Sequence, residues 1–134
     1  MGDRVNYILG VYRKYAAFDG RARRTEYWTF TGFFILVLTL GSLLSELGPG
    51  TGIDIIATII LAIFTIASFV PAVAVRIRRL HDSNRTGYWI LLSLIPFIGS
   101  IVLLVFDLMP GTKGANQYGQ DPRTPGEDIS QVFA

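Results

Sequence analysis

The sequence predicts an all-α integral membrane protein, a helical bundle of three transmembrane helices behind a short N-terminal amphipathic helix. Three observations carry that prediction. Of the 134 residues, 51% are apolar (AVILMFWYC) and 16% are charged, which is apolar-rich and charge-poor for a soluble domain. The apolar residues gather in three blocks, 27–44, 53–75 and 88–109. Each is close to the roughly 20 residues a helix needs to cross a bilayer. Finally, Arg24-Thr25-Glu26-Tyr27-Trp28 returns as Arg85-Thr86-Gly87-Tyr88-Trp89, each copy at the entrance to an apolar block. An arginine followed by Tyr-Trp suits a chain passing through the headgroup layer, so the two copies point to two helices entering from the same side.

In the lead, residues 1–26, Val5, Ile8, Leu9, Val11, Tyr12 and Tyr15 mix with Arg13 and Lys14. That mixture predicts a short amphipathic helix at the membrane surface, although Gly10 weakens it. Asp19-Gly20 reads as a turn or a helix cap before Arg21. Block 27–44 carries no charge. It follows a long polar lead, and no small-x-small pattern follows it, so it reads as a retained span and not a cleaved signal. A Gly-Pro-Gly-Thr-Gly turn at 48–52 leads into block 53–75, whose only charge is Asp54. Thr58, Ala62 and Thr65, then Ser68 and Ala72 beside Pro71, are small or hydroxylated residues at helical spacing, and they suit close helix packing.

Block 88–109 has Asp107 near its end and is interrupted by Pro96 and Gly99. Two readings stand. The favoured one is a single span kinked at Pro96/Gly99, since spanning helices tolerate both residues. The other is a re-entrant hairpin with arms of about 10 residues, half of what a crossing requires. The polar tail, 110–134, is rich in Gly, Pro, Asn and Gln and reads as loop, disordered beyond Pro125.

Orientation follows from Lys and Arg. Residues 1–26 carry six, the 45–52 loop none, the 76–87 loop four and the tail two. Cationic segments stay in the cytoplasm, which places the N-terminus there. Three crossings then put the tail outside, whereas a re-entrant third block returns it inside.

The two arginine-rich segments meet at one membrane surface. The candidate binding residues are Arg21, Arg24, Glu26 and Trp28 from the lead and first span, with Arg78, Arg79, His81, Asp82, Arg85 and Trp89 from the second segment. Arg78 and Arg79 both lie within a helical turn of Asp82. Glu26 sits at the lip of the bilayer, where a lone carboxylate is costly, so Arg78, Arg79 or Arg85 is expected beside it. The cluster either ties the loops together or leaves a positive pocket for anionic lipid headgroups or a partner protein. No catalytic residue is expected. Asp82 follows His81 directly, so on a helix the two point about 100° apart and the carboxylate does not orient the ring easily. With no cysteine and one histidine, no metal site is expected, nor any cofactor. A net charge of +2 without a recognition module argues against nucleic acid.

Four blocks carry a family resemblance: Phe18-Asp19-Gly20-Arg21-Ala22-Arg23-Arg24-Thr25-Glu26-Tyr27-Trp28; Arg78-Arg79-Leu80-His81-Asp82 leading to Gly87-Tyr88-Trp89; Pro96-Phe97-Ile98-Gly99; and Pro110-Gly111 through Gly114, Asn116, Tyr118-Gly119 and Asp121-Pro122. Together they resemble the bacterial domain of unknown function 805 family of small inner-membrane proteins, from about Phe18 to Pro122. Ala22-Arg23 stands where the family usually has x-Ser, which leaves Arg21 and Arg24 in place. The resemblance implies a multi-pass protein of the bacterial inner (plasma) membrane and brings no activity, substrate or cofactor. It also implies an ordered tail. If that tail packs on the arginine loops, Asn116 and Asp121 join the site and the hairpin reading gains weight. The expected function is a non-enzymatic membrane module that binds anionic lipid or a partner and self-associates. The alternatives are an enzyme or transporter for a lipid-like substrate, or a small oligomeric channel.

Overall fold

The computed structural model describes residues 2–123. The order of elements is α1 (Gly2–Arg13), α2 (Arg24–Leu47), α3 (Ile53–Asp82), a 3-10 segment (Gly87–Leu94) and α4 (Ile98–Leu108). Among the described residues there is no strand, only one isolated bridge between Asn116 and Gly119. The chain is therefore all-α, as predicted.

Two helices, α2 and α3, are long and apolar enough to cross a membrane. At 24 and 30 residues they extend about 36 and 45 Å at 1.5 Å per residue. They form an antiparallel hairpin closed by the glycine-rich turn. Asp54 accounts for its own place there: its carboxylate accepts the Gly50 N–H at 2.9 Å and pins the turn. Phe34 stacks on Phe64 with ring centroids 5.5 Å apart. Away from this contact the helices point Ile35, Leu36, Leu40, Ile59, Ile63 and Ile66 outward. Lipid is as apolar as these side chains, so burial there gains little.

The buried core sits at the arginine end. Val11, Ala22, Tyr27, Phe30 and Val75 pack together there. The amphipathic α1 is part of this core. Tyr12 and Ser68 share a hydroxyl–hydroxyl bond of 2.7 Å, and the Tyr15 hydroxyl donates to the Ala67 carbonyl at 2.8 Å.

The single kinked helix favoured for 88–109 does not form. The block is two short arms, the 3-10 segment and α4, folded against each other about Ile95-Pro96-Phe97. Pro96 has no N–H to extend a helix and holds Ile95 in an extended conformation (φ −93°, ψ 109°). Phe97 then takes φ 63°, ψ −69°, and the Ile98 N–H donates to the Pro96 carbonyl at 2.8 Å. That is the rare, strained γ-turn. Gly99 completes the reversal, because a Cβ there would collide with the Leu92 carbonyl. Each arm is about 16 Å long, roughly half of a hydrocarbon core about 30 Å thick.

Both ends of this hairpin return to the arginine end. Gly87 packs on Ile77 and His81. Asp107 reaches Tyr27 and Arg76. The tail also packs there, through Thr112, Gly114, Asn116 and Asp121. The lead and the start of the tail thus share one end of the molecule, where three crossings would have separated them. The disorder expected beyond Pro125 concerns residues outside the described range.

Candidate functional site

Asp82 is the centre of the arginine end. It is 0% exposed and takes three guanidiniums. Arg21 brings Nε and Nη2, each 3.0 Å from Oδ1. Arg79 Nη1 lies 2.5 Å from Oδ2, and Arg123 Nη1 donates to the same oxygen at 2.9 Å. Local structure sets up part of this. The helix α3 runs seven residues past Val75, so Arg79 and Asp82 share a face one turn apart. It ends in a Schellman motif: Asn84 takes φ 60°, the Arg85 N–H bonds the Leu80 carbonyl and the Asn84 N–H bonds the His81 carbonyl, both at 3.0 Å.

The spare donors of these arginines hold the tail and the hairpin. Arg21 Nη1 donates to the Gly114 carbonyl at 2.6 Å, and Nη2 donates to that of Thr112. Arg79 donates to the Asp107 and Met109 carbonyls. The Thr112 N–H bonds the Asp82 carbonyl at 2.7 Å. Gly111 passes so near Asp82 that a Cβ would collide with the carboxylate. The tail is knotted internally by Asn116, bridged to Gly119, and by Asp121, which accepts the N–H groups of Gly114 and Arg123 at 3.0 Å each. Burial pushes the Asp121 carboxyl up, but these N–H groups and the charges of Arg123 and Arg21 hold it below the usual carboxylate range. The bond to Asp82 raises the Arg123 guanidinium above its ordinary value.

Two further carboxylates join from elsewhere. Glu26, for which the sequence led us to expect a cationic partner, pairs with Arg78 at 3.1 Å. Arg78 is 1% exposed, and its Nε and Nη2 have no partner among the described residues. Asp107 accepts from the Tyr27 hydroxyl at 3.0 Å and pairs with Arg76 at 2.8 Å, while its carbonyl accepts from Trp28 Nε1 at 3.3 Å. His81 stacks flat on Tyr118, centroids 4.0 Å apart and planes 2° from parallel. Its Nδ1 lies 3.0 Å from the Gly20 carbonyl, which can only accept, so Nδ1 carries the proton. The Asn116 side-chain amide donates to the His81 carbonyl at 2.9 Å. Burial pushes the imidazole below its ordinary value, which keeps the ring neutral near pH 7.

The structure thus gathers Arg21, Glu26, Arg78, Arg79, His81 and Asp82 as buried groups, with Asn116 and Asp121 beside them. Trp28 and Arg85 are half-buried, while Arg24 and Trp89 face outward. Arg85 lies over the Phe106 ring at 4.2 Å, and Trp89 meets that ring edge-on. Sequence reasoning passed over Arg76, Tyr27, Asp107, Tyr118 and Arg123 as members. Asp107 carried a usable signal, because a carboxylate in an apolar block demands a partner. Arg123 carried none.

Inside the cluster five arginines, Arg21, Arg76, Arg78, Arg79 and Arg123, meet four carboxylates, Glu26, Asp82, Asp107 and Asp121, so the pairs leave a small cationic excess. All twelve Lys and Arg lie outside the far turn, against six carboxylates at this end among the described residues, Asp3, Asp19, Glu26, Asp82, Asp107 and Asp121. Among those residues Arg4, Arg13, Lys14, Arg23, Arg24, Arg85 and Lys113 pair with no carboxylate.

A family model described as "Protein of unknown function (DUF805)" matches residues 15–120, most of the chain. The chain belongs to the DUF805 family. It is 40% identical over 119 residues to inner membrane protein YhaI of Escherichia coli strain K12, covering 89% of this chain and 97% of that protein. It is 43% identical over 122 residues to inner membrane protein YhaH of the same strain, covering 89% and 98%. Protein YiiR of that strain is 27% identical over 131 residues, covering 78% and 85%. No solved structure matches the chain. The DUF805 match takes in Arg21, Asp82, Asp107 and Asn116 and stops just short of Asp121 and Arg123.

Proposed function

We propose that this DUF805 protein is a non-enzymatic module of the bacterial inner membrane, with its arginine end in the cytoplasm and its outer cationic face on anionic lipid headgroups. It crosses the bilayer twice, through α2 and α3, and dips back through the 3-10 segment and α4. One observation carries the lipid reading: seven basic residues with no carboxylate partner among the described residues share this end with a cluster in which five arginines already outnumber four carboxylates. The buried Arg78 and Arg79 hold helices together in this reading, and Arg24 and Arg85 face the headgroups beside Tyr88 and Trp89. The surplus also suits the cytoplasmic side, where basic residues are retained.

The test is lipid enrichment around the full-length protein in nanodiscs that mix phosphatidylglycerol and phosphatidylethanolamine. Phosphatidylglycerol is expected to concentrate at the protein. A basic residue near an anionic surface contributes about 1 kcal/mol, so Arg24→Gln with Arg85→Gln should weaken the preference roughly 30-fold. Equal occupancy by the two lipids around the unaltered protein overturns the reading.

Self-association is a second reading, favoured by the hairpin tip. Phe97 is 82% exposed, and irregular backbone at that depth in a bilayer needs protein around it. A second copy is the cover we propose.

A further inference from the structure

A groove of about 540 Å³ runs between α1 and α2 on the outer side of the arginine end. Its mouth carries Arg4, Thr25 and Thr29, and farther along α2 it is lined by Gly32, Phe33 and the outward-facing Leu36. Ile8 and the Trp28 ring complete the walls. Positions 25, 29, 32, 33 and 36 fall on one face of α2 by helical spacing. That face changes from polar to apolar along the axis. Thr25 to Leu36 spans about 16 Å, close to half of a hydrocarbon core about 30 Å thick. The groove therefore has the length and polarity gradient of one lipid in one leaflet.

The polar groups at the mouth have no partner among the described residues. Arg4 and the hydroxyls of Thr25 and Thr29 make no hydrogen bond to other described residues, and Arg4 pairs with no carboxylate among them. Gly32 keeps the middle of the groove open, because a Cβ there would meet no atom within 4 Å. Inside a helix, glycine is about 1 kcal/mol worse than alanine, so the helix itself gains nothing from it.

We propose that this groove holds one anionic phospholipid, its phosphate against Arg4 and the two threonine hydroxyls and an acyl chain along Gly32, Phe33 and Leu36. This rests on the reading that the arginine end faces anionic lipid. Charge complementarity selects an anion, and the apolar stretch along α2 selects one with a chain, since a free phosphate has no use for it.

The test compares wild type with Gly32→Leu and with Arg4→Gln, as full-length proteins in the same mixed nanodiscs, by counting lipids retained after mild delipidation. Gly32→Leu places its Cβ in open space and the rest of its side chain along the groove, and leucine suits the helix. Wild type should retain one phosphatidylglycerol, held at least tenfold more tightly than the rest. Gly32→Leu should lose that molecule while the general enrichment remains. Arg4→Gln should weaken it tenfold, and millimolar inorganic phosphate should not displace it. Retention unchanged in both variants overturns the groove and leaves the headgroup reading standing. Displacement by phosphate overturns the acyl-chain part. Wild type without any anionic enrichment overturns both.

Discussion

At the scale of residues, one carboxylate joins three parts of the chain. Asp82 ties Arg21 of the lead, Arg79 of α3 and Arg123 of the tail. Removing one partner of a buried ion pair costs about 3–5 kcal/mol, because the remaining charges are stranded. Asp82→Asn should therefore destabilise the detergent-solubilised protein by about that amount and open residues 111–123 to protease; a protected tail at an unchanged melting temperature would count against the clamp. His81 adds a pH dependence. Burial places its folded-state pKa below the ordinary value of 6.5, so the neutral ring is the native form. Its contribution is complete above that value and is lost as pH falls through and below it. Tail protection should weaken between about pH 7 and pH 5, and His81→Asn should flatten that slope. Of this cluster the sequence disclosed what is local. Helical spacing marked Arg79 and Asp82, and the lip position of Glu26 demanded a cation. That Arg21 and Arg123 converge on the same carboxylate depends on chain reversals that no local pattern records.

At the scale of elements, the third apolar block was the open question. Pro96 and Gly99 announced an interruption, but hydropathy is the same for one kinked crossing and for two half-length arms. The long-range bonds of Asp107 to Tyr27 and Arg76 favour the arms, because they return the end of α4 to the start of α2. Gly99 is where the arms touch. Gly99→Leu should force them apart by pushing a side chain into the Leu92 carbonyl, at a cost of about 2–3 kcal/mol typical of overpacking. The loss should appear as a lower melting temperature and a more protease-sensitive Met109–Lys113 stretch; a variant as stable as wild type would mean the arms are not packed this way. By contrast the existence of α2 and α3 was readable from apolar length, but their ends were not: block 27–44 falls three residues short of α2 at each end, and block 53–75 stops seven residues before α3 does.

At the scale of the whole molecule, charge and fold agree. The twelve basic residues, the core and the docked tail share one end, and the far turn carries none of the twelve. The repeated Arg-Thr-x-Tyr-Trp sequence marks two apolar blocks that start at that end, and the structure adds that the second block also finishes there. The structure gathers the lead, the end of α3 and the start of the tail at one end, and the orientation we propose puts that end in the cytoplasm. The chain has no cysteine, so single-cysteine variants report sidedness cleanly. Lys113→Cys and Arg4→Cys, both at exposed positions, should resist a membrane-impermeant maleimide in intact cells, while Glu46→Cys, at the end of α2 beside the far turn, should label; labelling of Lys113→Cys from outside would contradict the account.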